Sequence, residues 1–267
     1  MITLQQLGRF GNLLSQYVFA RTLAERWGYA LEANRISGFP GTAAVVGGER
    51  VVSPRVSWGR QWPSDAYSAR RVEARELMEA PNAHLTLQGW FQRFELIAQR
   101  AEDIREDWLR LEDTLPGRPE GDFLICLRLT DYAAERGDKE ERLDTFAHST
   151  LTEDEVRRLV RTVSHNRLHF VTDEPGHAIF ERMRDLSGTV HSGKAMEDFR
   201  LIHSFQKVAI CQSTFHWWTT FLGRAREIYF PPMDRGIWSR PERECGMAAE
   251  VHCGIDLRVP GDGRYIY

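Results

Sequence analysis

Four short segments hold the residues able to do chemistry in this chain. Gly8-Arg9-Phe10-Gly11-Asn12 sets two glycines three apart, just before an apolar-periodic stretch. That spacing permits a tight turn and offers the N–H groups of a helix start to an anion. An ordinary strand-to-helix turn has the same composition. Arg128-Leu129-Thr130-Asp131-Tyr132 follows an apolar run, so a guanidinium whose planar fork suits a phosphate stands at a strand end. An Arg128–Asp131 ion pair across a loop is the competing reading. Val171-Thr172-Asp173-Glu174-Pro175 closes another apolar run. Thr172 and Asp173 suit hydrogen bonds to a nucleotide base or ribose, and equally suit capping a helix that opens at Pro175. The fourth is Asp198-Phe199-Arg200-Leu201-Ile202-His203 with Cys211-Gln212-Ser213-Thr214-Phe215-His216-Trp217-Trp218. Ser213 and Thr214 start a helix directly after a strand, where hydroxyls and free N–H groups hold a pyrophosphate or simply cap the helix. Trp217 and Trp218 read as packing residues or as a stacking platform.

These segments need elements to position them. Leu13 to Trp27 has helical periodicity, and Gly28 is its stop. Residues 37–66 are rich in Gly, Pro and Ser and are expected to be loop-dominated. Leu85 to Leu87 is a short strand, and Phe94 to Leu111 a helix with Ile97, Ile104 and Trp108 on one face. Leu115-Pro116-Gly117-Arg118-Pro119-Glu120-Gly121 breaks both helix and strand and divides the chain near 115–121. Beyond it strand and helix alternate. Strands are expected at 123–128, 168–171, 189–190, 208–210 and 227–230. Helices are expected from Thr152, whose Thr-Glu-Asp-Glu run is a capping box, from Pro175, over 195–205 and over 214–222. Such alternation indicates a parallel sheet covered on both faces, which binds ligands at the carboxyl ends of its strands.

Composition narrows the function. The 267 residues are 42% hydrophobic and 27% charged, values of an ordinary globular protein rather than a disordered or disulfide-built one. The net charge of −3 gives no basic excess for a duplex, so nucleic acid is not an expected partner. No apolar run is long enough to span a bilayer, and Met1 to Asn12 lacks the pattern of an export signal. A cytoplasmic location is expected, with peripheral membrane contact left open. The cysteines at 126, 211, 245 and 253 form no CxxC or metal-ligand spacing, and GxxxxGK[ST], GxSxG and HExxH are all absent.

Taken in order, the segments resemble the inverting α1,2-fucosyltransferases of glycosyltransferase family 11. Gly8 to Ala24 (GRFGNLLSQYVFARTLA) follows that family's G-G-L-G-N-Q opening and its Q-Y-A-F-A-R-A-L-A helix. Gly89-Trp90-Phe91-Gln92 is similar to its G-Y-F-Q. Cys126 to Tyr132 partly matches H-x-R-R-G-D-Y, and Val171 to Glu174 resembles F-S-D-D. Asp198 to His203 and Gln212 to Trp218 resemble its D-x-x-L-M and N-S-T-F-S-W-W. The resemblance spans roughly residues 4 to 232.

It implies an α/β, GT-B-like fold of two Rossmann-like lobes with a cleft between them. Residues 1–115 would be the acceptor-side lobe and 121–267 the donor lobe. It implies GDP-fucose as donor, a glycan hydroxyl as acceptor, and no cofactor or obligatory metal. Arg128 would then neutralise the departing diphosphate. Gly11, Asn12, Thr172, Asp173, Ser213, Thr214 and Phe215 would bind the donor, with Gly11 and Asn12 facing its phosphate across the cleft. Asp131 and Glu135 are the carboxylates in reach to act as base on the acceptor hydroxyl. Three departures stand out: Cys126 replaces the family histidine, Leu129 its second arginine and Gln212 its asparagine. They leave open a different nucleotide sugar, or a non-catalytic glycan- or nucleotide-binding relative.

Overall fold

The computed structural model describes residues 1–43, 55–59, 84–88, 91–92, 98, 100–129, 150–230 and 263–266. The chain divides into two compact units, the first running from Met1 to Glu112 and the second opening at Asp113.

In the first unit, β1 (Ile2–Leu4) leads into α1 (Phe10–Trp27), followed by β2 (Leu31–Glu32). A 3-10 turn covers Pro40–Ala43, and β3 (Arg55–Gly59) and β4 (His84–Gln88) complete a parallel sheet in the order β2-β1-β4-β3. Helix α1 starts at Phe10, three residues before its apolar periodicity begins. Leu14, Tyr17, Val18, Leu23 and Ala24 are buried, which is the stripe its spacing specifies. It ends where Gly28 turns left-handed (φ 65°), its N–H donating to the carbonyls of Ala24 and Glu25. Strand β3 lies inside the stretch expected to be loop. Its five residues carry too short an alternation to stand out among flanking Gly, Pro and Ser. The helix expected over Phe94–Leu111 is also corrected. Helix α2 (Ala101–Asp103) widens into a π-turn over Ile104–Trp108, and Leu109 leaves the helical conformation. The guanidiniums of Arg21 and Arg100 lie over the Trp108 ring, 4.5 and 4.7 Å from its centre, and hold the indole where the helix stops. Phe94 and Ile97 fall outside the described residues.

The second unit contains β5 (Asp122–Leu127), α3 (Glu153–Thr162), β6 (Arg167–Thr172), α4 (Ala178–Arg182) and β7 (Thr189–His191). There follow α5 (Ala195–His203), β8 (Lys207–Ala209), α6 (Thr214–Leu222), β9 (Glu227–Tyr229) and β10 (Tyr265–Ile266). All six strands are parallel, in the order β10-β9-β8-β5-β6-β7. Counted from β5 this is the 3-2-1-4-5-6 order of a Rossmann sheet. Strand β5 is buried at every residue, as its unbroken apolar run requires of a central strand covered on both faces. On one face Phe123, Ile125 and Leu127 pack with Val156, Leu168, Phe170, Ile179 and Met183. Trp217, Trp218 and Phe221 of α6 are buried, with Trp217 stacked on Phe221 at 4.8 Å. The Thr152 capping box forms as its sequence specifies. Pro175 does not open a helix. It sits in a turn, and α4 begins at Ala178, capped by His177.

Candidate functional site

A parallel sheet exposes a crevice beyond the carboxyl ends of two strands whose connections leave in opposite directions. In the second unit that place lies between β5 and β8. Arg128 follows β5 directly, and Cys211, Gln212 and Ser213 follow β8. Leu127 pairs with Thr172, so Arg128 and Asp173 leave neighbouring strand ends side by side.

The backbone after β5 is held from the β6 side. Asp173 Oδ1 accepts the Leu129 N–H at 2.7 Å. On the β8 side, the Cys211 thiol lies near the Arg128 charge. The Cys211 sulfur in turn lies 3.2 Å from His216 Nδ1. Both side chains are fully buried. Burial pushes the Cys211 thiol up to about 12, which keeps its proton in place. Burial, then the nearby Arg128 charge, push His216 down to about 3, so its imidazole is neutral. The cluster therefore leaves the Arg128 charge without a thiolate beside it.

Ser213 is the N-cap of α6 and is 3% exposed, yet its hydroxyl has no hydrogen-bond partner. Its own N–H donates to the Cys211 carbonyl at 2.7 Å. A buried hydroxyl without a partner costs stability unless a ligand or water completes it. It stands at the positive end of a nine-residue helix, where an anion is favoured. Thr214 is the first residue of that helix and half-buried. The Phe215 ring is half-buried and meets Phe199 edge-on at 5.7 Å. Thr172 is buried, and its hydroxyl accepts the Glu174 N–H at 3.1 Å, which shapes the turn before α4 rather than capping the helix. Asp198, on α5, is pushed up to about 6 by burial, with Glu197 and Asp173 adding like charge against a hydrogen bond from the Gly193 backbone. Cys126 is fully buried within β5. Asp131 and Glu135 lie outside the described residues.

The first unit has its own reversal of strand order, between β1 and β4. The segment after β1 holds Gly8, at φ 79°, and the segment after β4 holds Phe91 and Gln92. Gln92 Nε2 donates to Asn12 Oδ1 at 2.7 Å, tying the two together. Gln16 is fully buried and grips Leu7 like a paired strand: its Oε1 accepts the Leu7 N–H and its Nε2 donates to the Leu7 carbonyl, both at 2.9 Å. Gly11 is buried in the first turn of α1.

Among the described residues, no group of three or more His, Cys, Asp or Glu could hold a metal ion, and no helix is long and apolar enough to cross a membrane. No model of a known protein family matches the chain, and no curated protein matches it. Solved structures do. An arginine-to-lysine mutant of Arabidopsis thaliana FUT1 in complex with GDP matches at TM-score 0.53 and 11% identity, covering 96% of this chain and 74% of that one. POFUT1 in complex with GDP-fucose matches at TM-score 0.49 and 13% identity, covering 86% and 96% respectively. The fold is α/β and GT-B-like. At 11% identity the FUT1 likeness establishes the fold alone, with the second unit as the Rossmann-like lobe that carries Arg128.

Sequence reasoning singled out Arg128, Asp173 and Ser213, and the structure sets all three at one end of one sheet. It did not single out the Cys211–His216 pair as a unit. A contact across a strand-to-helix turn leaves no periodicity to find.

Proposed function

We propose that the chain is an inverting glycosyltransferase of the α1,2-fucosyltransferase type, moving fucose from GDP-fucose to a glycan hydroxyl. The observation that carries this reading is the end of the neighbouring strands β5 and β8, where Arg128 follows β5 and an unpartnered, buried Ser213 hydroxyl follows β8 at the start of α6. Those groups suit a diphosphate: a forked cation, an N–H-rich helix start and a spare hydroxyl. In the reaction the sugar–phosphate bond breaks, and negative charge gathers on the leaving β-phosphate. Arg128 stabilises that charge, so no metal is obligatory in this mechanism. Asp173, Thr172, Thr214 and Phe215 belong to the donor site of the second unit, and Gly11 and Asn12 are assigned to donor binding from the first. Asp131 or Glu135 takes the acceptor proton. A second reading, transfer from a different nucleotide sugar, is favoured by Cys126. That side chain is buried in the sheet, where the family pattern has a histidine.

The test is a thermal-shift titration with GDP, GDP-fucose, GDP-mannose and UDP-sugars, followed by donor turnover against an acceptor panel with and without EDTA. GDP at one hundred times its Kd stabilises by about 2.7 kcal/mol. Turnover with GDP-fucose that survives EDTA supports the proposal. Binding of UDP-sugars alone replaces the donor, and binding with no turnover on any acceptor makes the chain a non-catalytic relative.

A further inference from the structure

The geometry points to Gln92 as the positioning residue of Asn12, holding that carboxamide with its NH2 group toward the donor diphosphate and its carbonyl turned away. This rests on the assignment of Asn12 to donor binding. Asn12 lies in the first turn of α1, where its own N–H donates to the Arg9 carbonyl at 2.8 Å. That turn holds no acidic residue, so the helix dipole there favours an added anion. A carboxamide serves an anion only through its NH2 end. Rotated by half a turn it presents a carbonyl oxygen, which repels the same ligand. The two ends are nearly the same size, so packing alone does not choose between them. The choice comes from outside α1. Gln92 Nε2 donates to Asn12 Oδ1 at 2.7 Å, from 80 residues further along the chain. That bond commits the Asn12 carbonyl and directs its NH2 group away from Gln92. Gln92 is itself held for this task. It is 6% exposed, and the bond to Asn12 is the one hydrogen bond of its side chain among the described residues. Phe91, just before it, stacks on Phe19 of α1 with ring centres 4.2 Å apart. Asn12 and Phe19 lie two helical turns apart, on one face of α1. Consecutive residues of the segment after β4 therefore dock at two points along the same helical stripe. Phe91 takes a left-handed backbone (φ 50°) in doing so, a conformation that a residue with a side chain adopts only at a cost.

The experiment measures GDP affinity by calorimetry for Asn12→Ala, for Gln92→Met, which keeps the length without the polar end, and for Gln92→Glu, whose carboxylate can only accept. Both Gln92 changes are repeated in the Asn12→Ala background. Asn12→Ala is expected to weaken GDP binding about ten- to hundredfold, the range for a hydrogen bond to a charged group. Gln92→Met weakens it about fivefold, the worth of one neutral hydrogen bond. Gln92→Glu draws the Asn12 NH2 group onto its own carboxylate and costs about as much as Asn12→Ala. In the Asn12→Ala background Gln92→Met changes affinity by less than about twofold, and Gln92→Glu loses less than it does beside Asn12, because only the repulsion of its charge remains. Equal losses in the two backgrounds mean that Gln92 acts on the fold alone, and overturn the inference. The second readout is NMR of the side-chain NH2 groups in the nucleotide-free protein. The Gln92 NH2 signal is expected at the shift of a hydrogen-bonded amide and moves back in Asn12→Ala. An Asn12 NH2 signal that moves in Gln92→Met, with the Gln92 NH2 indifferent to Asn12→Ala, gives the opposite order and overturns the inference as well. If Gln92→Met does not fold, the Gln92→Glu comparison and the Gln92 NH2 shift decide. If the unaltered chain binds no GDP, the proposed function fails, while the NMR still passes judgement on the Gln92 bond. If GDP binds and Asn12→Ala leaves its affinity unchanged, Asn12 is not a donor-binding residue and the inference falls alone.

Discussion

At Arg128 the shape of the side chain matters as much as its charge. A lysine keeps the cation and loses the two-pronged contact, so Arg128→Lys as well as Arg128→Ala is expected to impair turnover. The alanine change should lower kcat by about 10^2–10^3, the usual loss for one preorganised donor. Full turnover with either substitution would remove Arg128 from the mechanism. Asp198 gives a test of different kind. Its carboxyl is lifted from 3.8 to about 6, mainly by burial, so the folded state holds the proton more tightly than the unfolded chain. That preference stabilises below about pH 4 and is lost as the pH rises through 6. Asp198→Asn should therefore melt higher than the unaltered protein at pH 8, and the two should converge near pH 4. Equal melting temperatures at pH 8 would show the carboxylate to be adequately solvated. Arg128 and Ser213 were legible from sequence because each directly follows an apolar run that has to be a strand. Whether Asp173 holds its own turn, a ligand or a neighbouring chain segment was not legible, since one carboxylate at a strand end suits all three. The structure shows it bonded to the Leu129 amide.

Elements were readable in proportion to the periodic sequence they contain. Helix α1 and strands β5 and β6 carry long apolar patterns and lie close to where those patterns place them. Strands β2 and β10 have two residues each and no pattern at all. The early end of the α2 π-turn depends on two arginines over Trp108, one of them, Arg21, far away in sequence, and no local rule reports that. Much of the Gly8–Ala24 motif is scaffolding for its own turn. Gln16 clamps Leu7, while the Tyr17 hydroxyl donates to the Gly41 carbonyl at 3.0 Å. Gly28 offers a clean measure of how such an element ends. A methyl group there meets nothing within 4 Å, so Gly28→Ala charges only for the left-handed backbone. The expected loss is about 1 kcal/mol of stability by urea titration. A loss above about 3 kcal/mol would mean a steric cause the structure does not contain.

Across the whole molecule, acid should act on one unit first. His169, His191, His203 and His216 all belong to the second unit, and burial, the largest cause in each case, holds all four below the usual 6.5. His169 and His191 stack with Nδ1 and Nε2 3.1 Å apart. The unfolded chain binds their protons more readily than the fold does. The stability they allow is complete above about pH 6.5 and falls as the pH drops toward their folded values. Calorimetric melting at pH 7.5 and pH 5 should show the transition of the second unit moving down. A transition that holds its temperature at pH 5 would mean these imidazoles charge freely in place.

The last described residues also have work to do. Ile228 N–H donates to the Arg264 carbonyl and Phe230 N–H to the Ile266 carbonyl, each at 2.7 Å, so β10 covers what would otherwise be the raw margin of β9. During synthesis that margin stays bare until residue 266 has cleared the ribosome, after the rest of the sheet is already available. A nascent or clipped chain ending before residue 263 presents open donors to any neighbour of the same kind. Such a shortened protein should elute from a sizing column as self-associated species, and a clean monomer-sized peak would show that the margin needs no cover.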